Sequence, residues 1–82
     1  MFFVYIIESE KSGNYYVGHS DDPFRRLKEH NESPHRTFTS KHRPWKLFAQ
    51  IPISEIRSDA LRVEKYIKRR KSKKFIKLHL PQ

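Results

Sequence analysis

Residues 2–24 read FFVYIIESEKSGNYYVGHSDDPF, and this stretch decides the fold. Its first part, Phe2–Ile7, is aromatic and β-branched and too short for a helix, so it predicts a β-strand. Lys11–Asn14 has the composition of a turn, with a glycine and an asparagine that tolerate positive φ. Tyr15–Gly18 then predicts a second strand, so the first 18 residues are expected to form a β-hairpin.

The end of the same stretch predicts the start of a helix. Asp22 is the expected N-cap, and Pro23 suits the first helical position because an N–H there would have no partner within the helix. The helix is predicted from Phe24 to about His30, with Phe24 and Leu27 facing a core.

The rest of the chain predicts one more strand and two more helices. The polar segment Asn31–Pro44 is expected to be an exposed loop, and Trp45–Ile51 a third strand that ends at the following proline. Ser58 is the expected cap of a long helix over Asp59–Lys71. A short helix over Lys73–His79 is predicted after it. This order of elements predicts an α+β fold on a small sheet.

Length and composition exclude several classes of protein. A chain of 82 residues has room for a single core, so one domain over residues 1–82 is expected. The absence of cysteine excludes disulfides, thiolate zinc sites and cysteine nucleophiles. No apolar run approaches the ~20 residues of a membrane span, and the apolar first residues lack the basic region of a signal peptide. A cytoplasmic protein without a membrane partner is therefore expected.

The net charge of +9 lies entirely in the second half of the chain. Residues 1–41 contain equal numbers of basic and acidic side chains, whereas eight of the thirteen residues from Lys65 to Lys77 are basic and none is acidic. Such a density attracts polyanions, so nucleic acid is the expected partner, and DNA and RNA fit it equally well. A basic helix that serves only solubility is the alternative. The predicted nucleic-acid contacts are Lys65, Lys68, Arg69, Arg70, Lys71, Lys73 and Lys74.

One carboxylate lies on the wrong face of the predicted long helix. On a helical wheel Glu64 falls between Ala60 and Leu61, within the arc of apolar positions. A carboxylate there is costly unless it is paired or bound to a cation. Two interpretations stay open: an ion pair with a nearby lysine or arginine, or a ligand for a hard divalent cation such as Mg²⁺.

A second group of candidate residues lies in the neutral half of the chain. Arg26 and His30 are four residues apart and share one face of the first helix. Tyr5 and Tyr16 lie on paired strands and can share one face of the sheet, although either can equally be an ordinary half-buried strand residue. An arginine fork binds phosphate, and a tyrosine or histidine can orient or deprotonate a water molecule. Together with one cation-binding carboxylate, these groups suffice for phosphodiester hydrolysis.

The order of these residues resembles the GIY-YIG nucleases. Phe3-Val4-Tyr5 corresponds to the first motif, with only the tyrosine kept, and Tyr16-Val17-Gly18 is a common form of the second. Residues 16–31 are similar to the family's strand–turn–helix core. Residues 44–47 and 60–68 are similar to the next two blocks of small stand-alone members, which are described as excinuclease-like. The resemblance covers nearly all 82 residues and implies a three-stranded antiparallel sheet flanked by helices.

The resemblance also implies roles for individual residues. The family arginine, which stabilises charge on the phosphorane-like transition state, falls on Arg26 and not on Arg25. The histidine or tyrosine one helical turn later falls on His30. The metal-binding glutamate falls on Glu64, and the implied cofactor is Mg²⁺ or another divalent cation such as Mn²⁺.

The two motif tyrosines are Tyr5 and Tyr16, and members of the family differ in which of them is thought to activate the water. His19 can assist a tyrosine hydroxyl. The chain departs from the family at Phe3, where a glycine is usual, and it lacks the asparagine that some larger members place after the glutamate.

The expected function is hydrolysis of phosphodiester bonds in DNA by a Mg²⁺-dependent endonuclease, in repair or recombination. Larger relatives attach specificity domains and these 82 residues contain none. Three alternatives are therefore expected: loose cutting, recognition of DNA structure, or dependence on a partner protein for specificity. A non-catalytic nucleic-acid-binding module of the same fold is the alternative, with Trp45 and the tyrosines as platforms for base stacking. A third hypothesis is an interaction subunit of a repair or restriction complex. The oligomeric state is left open.

Overall fold

A β-hairpin, a helix, a third strand and a second long helix form the framework of the chain. The computed structural model describes residues 1–34 and 38–70. The elements are β1 Phe2–Ser9, β2 Tyr15–Ser20, α1 Pro23–Glu32, α2 Phe38–Lys41, β3 Trp45–Ser54 and α3 Arg57–Arg69. The predicted helix Lys73–His79 and the predicted contacts Lys71, Lys73 and Lys74 lie outside the described residues.

The strands form one antiparallel sheet with the order β2-β1-β3, which confirms the predicted α+β fold with a three-stranded sheet. β1 and β2 are joined by the predicted turn. In that turn only Gly13 has positive φ, at 74°, so the asparagine beside it does not use the left-handed region. The register places Tyr5 opposite Gly18 and Ile7 opposite Tyr16. Residues directly opposite in an antiparallel pair share a face, so both tyrosines lie on one side of the sheet.

Each face of the sheet is covered by a helix. On one face a buried cluster joins residues of all three strands to α3; its buried members are Val4, Ile6, Tyr15, Val17, Ala49, Ala60 and Ile67. On the other face Tyr5, Ile7 and Trp45 are buried against Leu27 of α1. α1 therefore packs over the two motif tyrosines, while α3 packs on the opposite side.

The start of α1 is as the sequence predicts, but its inner face is not. The Asp22 carboxylate accepts a hydrogen bond from the Arg25 backbone N–H at 3.1 Å, and Pro23 is the first helical residue. Phe24 was predicted to face the core and is 62% exposed. Positions 23, 27 and 30 share the inner face at helical spacing, so His30 is buried there and Phe24 lies at the margin.

The predicted loop over residues 31–44 is wrong in part, because it contains the short helix α2 and the buried residue Thr39. The strand β3 also continues through Pro52 to Ser54. β3 is an edge strand whose pairing with β1 is irregular beside Phe3, the partner of Pro52. A proline is tolerated at such a position because little of the ladder depends on its N–H.

The cap of the long helix also differs from the prediction. α3 begins at Arg57 with Ile56 as its N-cap and no side-chain capping bond, so Ser58 is not the cap. Instead, the Ser54 hydroxyl accepts a bond from the Ile56 N–H at 3.0 Å and donates one to the Asp59 carboxylate at 2.8 Å. A serine before the helix thus organises its first turn. No helix in the described part of the chain is long and apolar enough to cross a membrane.

Candidate active site

The glycine of the second motif makes room for the tyrosine of the first. Gly18 lies opposite Tyr5 in the hairpin. A Cβ atom at Gly18 would lie 2.5 Å from the Tyr5 hydroxyl oxygen and 2.6 Å from the ring carbon that bears it. Tyr5 is 1% exposed, so its ring has little space into which it can move. A residue without a side chain is therefore required at position 18.

Substitution Gly18→Ala is expected to destabilise the fold by roughly 1–3 kcal/mol, the usual cost of overpacking a core. The midpoint of urea unfolding measures it. In a Tyr5→Leu background the same substitution should cost clearly less, because the ring atoms that the new methyl group meets are gone. An equal cost in both backgrounds would show that the contact with Tyr5 is not the cause.

The Tyr5 hydroxyl is the hub of a buried polar group. It lies 2.9 Å from Nε2 of His30, which is itself buried. Burial raises the pKa of Tyr5 to about 12, although a hydrogen bond from the Arg26 guanidinium lowers that pKa in part. A guanidinium can only donate, so it uses a lone pair of the Tyr5 oxygen and leaves the tyrosine proton for His30.

His30 is neutral at physiological pH. Burial lowers its pKa to about 4, and the positive charges of Arg26 and Arg43 act in the same direction. A neutral imidazole can accept the Tyr5 proton at Nε2, so the three side chains form a chain of bonds from Arg26 through Tyr5 to His30. The arrangement thus joins three of the residues for which the resemblance implies a role.

The low pKa of His30 predicts that stability depends on pH. The unfolded chain binds this proton near pH 6.5 and the folded chain only near pH 4, so the contribution of neutral His30 is complete above pH 6.5. It is lost as the pH falls from 6.5 to 4 and amounts to roughly 2–3 kcal/mol. Urea unfolding at a series of pH values measures it. The wild type should lose stability relative to His30→Gln over this range, and parallel curves would contradict the prediction.

The C-terminal end of α1, which carries His30, is held by two residues that sequence reasoning missed. The Arg43 guanidinium donates to the backbone carbonyls of His30 and Ser33, each at 2.6 Å. The Asn31 side chain donates to the Trp45 carbonyl at 3.0 Å and accepts from the Trp45 N–H at 2.7 Å. The last carbonyls of a helix have no hydrogen-bond partner within the helix. An arginine in the segment that follows α1 is therefore a sequence signal that could have suggested Arg43.

Tyr16 and Arg26 face solvent beside this buried group. The Tyr16 ring is partly exposed, and its centroid lies 4.9 Å from that of His30. Arg26 donates to the Glu29 carboxylate at 2.7 Å, and this ion pair lowers the pKa of Glu29. An open groove of about 760 Å³ is lined by Tyr16, Arg26 and His30. Both basic and acidic side chains of α1 complete its wall, namely Arg25, Lys28, Glu29 and Glu32. The Arg26 guanidinium lies at the wall of this groove.

Glu64 is buried and fully paired. Its Oε1 lies 2.7 Å from Nδ1 of His19, and its Oε2 lies 3.1 Å from Nζ of Lys68. The Lys68 ammonium also lies 5.9 Å from the centroid of the Tyr16 ring. Lys68 therefore links the Glu64 carboxylate to the Tyr16 side of the site.

The site fits a divalent cation that brings most of its ligands with it. In residues 1–34 and 38–70, no cluster of three or more histidine, aspartate or glutamate side chains could enclose a metal. A single carboxylate is enough for Mg²⁺ when water molecules and substrate phosphates complete the coordination sphere. Of the two interpretations of Glu64, the ion pair is observed, and the cation-binding role stays a prediction.

The structure thus brings together all six side chains for which the resemblance implies a role at the site. The predicted nucleic-acid contacts within the described residues lie on α3 or at its end. Lys65 and Arg69 are exposed, Arg70 stacks on the ring of Tyr66 at 4.2 Å, and Lys68 pairs with Glu64. Their contacts with nucleic acid stay predictions.

Two comparisons with known proteins found a match to this chain. The model of the GIY-YIG catalytic domain matches residues 1–77. A curated protein from Meyerozyma guilliermondii, the structure-specific endonuclease subunit SLX1, is 43% identical over 51 residues, which is 56% of this chain and 17% of that protein. This chain therefore spans about a sixth of the length of that relative. No solved structure matches the chain. Because the family model covers nearly the whole sequence, the chain belongs to the GIY-YIG nuclease family.

Proposed function

We propose that this chain is a divalent-cation-dependent endonuclease that hydrolyses phosphodiester bonds in DNA. The observation that carries the proposal is the convergence of Tyr16, Arg26 and His30 on one groove, with Glu64 beside it. Each of these residue types supplies something that phosphodiester hydrolysis needs. A merely structural cluster would have no need to place an arginine and a tyrosine along the same open groove.

Arg26 is positioned to bind the phosphate that reacts. Its guanidinium is held by the Tyr5 oxygen on the buried side and by Glu29 on the solvent side. A donor fixed in this way can meet the negative charge that grows on the phosphate oxygens without reorganising at the moment of reaction. The Tyr5 and His30 side chains then act as supports for Arg26 and not as contacts of the substrate.

Tyr16 is the better candidate for the residue that orients the attacking water. Tyr5 is 1% exposed and its pKa is about 12, so it neither meets water nor loses its proton readily. The Tyr16 ring lines the groove. Burial of Tyr5 thus supports Tyr16 over Tyr5 for this role.

Glu64 would hold the cation, with His19 positioning its carboxylate. When bound, Mg²⁺ or Mn²⁺ supplies a positive charge that neutralises the leaving oxygen. The nucleic-acid backbone would be held by the basic side chains of α3 and the following residues, which contact phosphates without reading sequence.

The substrate and partner are proposed by similarity. The relative is described as a structure-specific endonuclease subunit, and both parts of that description match the expectations from the sequence. We therefore propose DNA of defined structure, such as a flap or a junction formed in repair or recombination, as the substrate. A partner protein would add specificity. A cytoplasmic location stays a prediction.

Cleavage of DNA by the purified protein tests the proposal. Supercoiled plasmid and labelled DNA flaps are incubated with Mg²⁺, with Mn²⁺ or with EDTA, and nicking is expected only with a divalent cation. An RNA of matched structure distinguishes the two nucleic acids. Binding without cleavage of either nucleic acid under all divalent cations would favour the non-catalytic module instead. The non-catalytic alternative assigned base stacking to Trp45. Trp45 is 3% exposed and cannot serve as a stacking platform, so this part of the alternative is not supported.

The two tyrosines should respond differently to loss of the hydroxyl. Tyr16→Phe is expected to lower the single-turnover cleavage rate about 10²-fold with little effect on stability, because a group that orients or deprotonates the water is lost. Tyr5→Phe should mainly lower the free energy of unfolding, because its buried bonds to His30 and Arg26 are lost. Measurement of both quantities in both variants decides the assignment. A Tyr16→Phe variant that cleaves at the wild-type rate would exclude Tyr16.

A further inference from the structure

Lys68 forms an ion pair with Glu64, the carboxylate that a divalent cation is expected to bind. Its Nζ is 3.1 Å from Oε2 of Glu64, and the two residues are four apart on α3. His19 covers the other oxygen at 2.7 Å. Both oxygens of the acid at this site are thus already partnered in the free protein.

The two partners differ in how easily they can leave. The Glu64 side chain is 10% exposed and that of His19 is 19% exposed, whereas 45% of the Lys68 side chain is open to solvent. Lysine is a compact charge on a flexible stem and exchanges one partner for another by rotating about single bonds. Lys68 is therefore the partner that can move without unpacking the helix.

A divalent cation and the Lys68 ammonium exclude each other at Oε2. Two positive charges within a few ångströms repel strongly where little water separates them. A buried carboxylate without any positive partner is also costly, so the ammonium is needed while the cation is absent. The same ammonium therefore keeps Glu64 neutralised in the free protein and competes with the cation.

The position of the ammonium also indicates where it goes. It lies 5.9 Å above the Tyr16 ring, and Tyr16 lines the groove assigned to the phosphodiester. Rotation of the Lys68 side chain past this ring would bring the ammonium from the carboxylate toward a phosphate bound in the groove.

We propose that Lys68 is an exchangeable counter-ion. It neutralises Glu64 in the free protein, leaves when a divalent cation binds, and then contacts a phosphate of the nucleic acid. The inference rests on the proposed cation-binding role of Glu64. It makes cation binding weak in the free protein and couples it to the binding of DNA.

The first test measures Mn²⁺ binding to the free protein by titration calorimetry. Lys68→Gln is expected to bind Mn²⁺ about tenfold more tightly than the wild type, because the competing charge is gone. Lys65→Gln is the matched control: it removes the same charge from the same helix, and Lys65 forms no ion pair with the described residues. The gain should disappear in a Lys68→Gln/Glu64→Gln double variant.

A second variant covers the case in which Lys68→Gln does not fold. Lys68→Arg keeps the charge and grips a carboxylate with two parallel donors, so it should weaken Mn²⁺ binding relative to the wild type. Mn²⁺ affinities that are equal in the wild type, Lys68→Arg and Lys65→Gln would overturn the proposal.

The second test concerns the phosphate contact. The affinity for a short DNA duplex is compared in EDTA and in Ca²⁺, a hard cation that takes the same oxygen ligands. Lys68→Gln should weaken DNA binding several-fold more in Ca²⁺ than in EDTA, because only there is the wild-type ammonium released. An equal loss under both conditions would show that Lys68 does not switch partners.

These outcomes are separable from the proposed function. If the wild type cleaves DNA with Mg²⁺ but Lys68→Gln leaves Mn²⁺ affinity unchanged, the counter-ion role fails and the nuclease stands. If no nucleic acid is cleaved while Lys68→Gln gains Mn²⁺ affinity through Glu64, the counter-ion role stands and the nuclease fails.

Discussion

Arg26→Ala is expected to lower the single-turnover rate of DNA cleavage about 10³-fold, while the affinity for DNA changes little. Loss of one preorganised donor to a developing oxyanion costs 10²–10³-fold in known cases, and a two-armed guanidinium beside a phosphate is at the upper end of that range. The affinity is expected to come mostly from the predicted nucleic-acid contacts, the basic residues from Lys65 to Lys74. The two effects are measured separately, by quenched-flow cleavage and by fluorescence anisotropy in EDTA.

The neighbouring arginine provides a matched control. Arg25 carries the same charge, is 56% exposed and pairs with Asp21 at 3.1 Å, with no contact to Tyr5 among its described bonds. Arg25→Ala should therefore reduce cleavage by less than about tenfold, the scale of a surface charge. Arg26→Lys keeps the charge but loses the planar fork, so a loss of at least about 10²-fold is still expected. Equal losses in Arg25→Ala and Arg26→Ala would show that the groove needs only positive charge.

Local signals were sufficient for most of the fold. Strand composition, the turn before β2 and the Asp22-Pro23 pair act over a few residues, and each is found where the sequence places it. The errors arise where tertiary packing overrides a local preference. Phe24 is apolar but lies at the margin of the covered face, and His30 is polar but is buried because Tyr5 supplies its partner. Tyr5 and His30 are 25 residues apart, so a local sequence pattern cannot predict that they are partners.

The candidate site shows the same division. The helical wheel identified Glu64 as misplaced because its cost comes from its own helix, and the structure confirms that it is buried. Its partner is Lys68 and not a more distant arginine. The i,i+4 spacing of the two residues explains this pairing only once the helix register is known. The close approach of Gly18 and Tyr5 depends on the register of the two strands. A sequence motif names the two residues but does not show that they lie opposite each other. The supports from Asn31 and Arg43 come from a segment that was predicted to be an exposed loop.

Glu64→Gln is expected to reduce cleavage about 10³-fold at every Mg²⁺ concentration, because it removes the carboxylate that is proposed to hold the cation. The fold should persist. An amide has nearly the shape of the carboxylate and still offers His19 a hydrogen bond, while the half-exposed Lys68 ammonium can turn to water. Cleavage is followed across a Mg²⁺ titration, and the free energy of unfolding is measured in parallel.

Two further variants make this result specific. Glu55→Gln removes an exposed carboxylate that pairs only with the N-terminal ammonium among the described residues, so cleavage should not change. Glu64→Asp keeps the negative charge on a side chain that is shorter by one methylene group, so the carboxylate lies farther from the cation. Activity should therefore be lower than in the wild type and higher than in Glu64→Gln. If Glu64→Gln cleaves at the wild-type rate, the buried carboxylate serves only the ion pair with His19 and Lys68. Its position among apolar residues would then reflect packing of α3 against the sheet, and a cation, if one is needed, would have to be bound elsewhere.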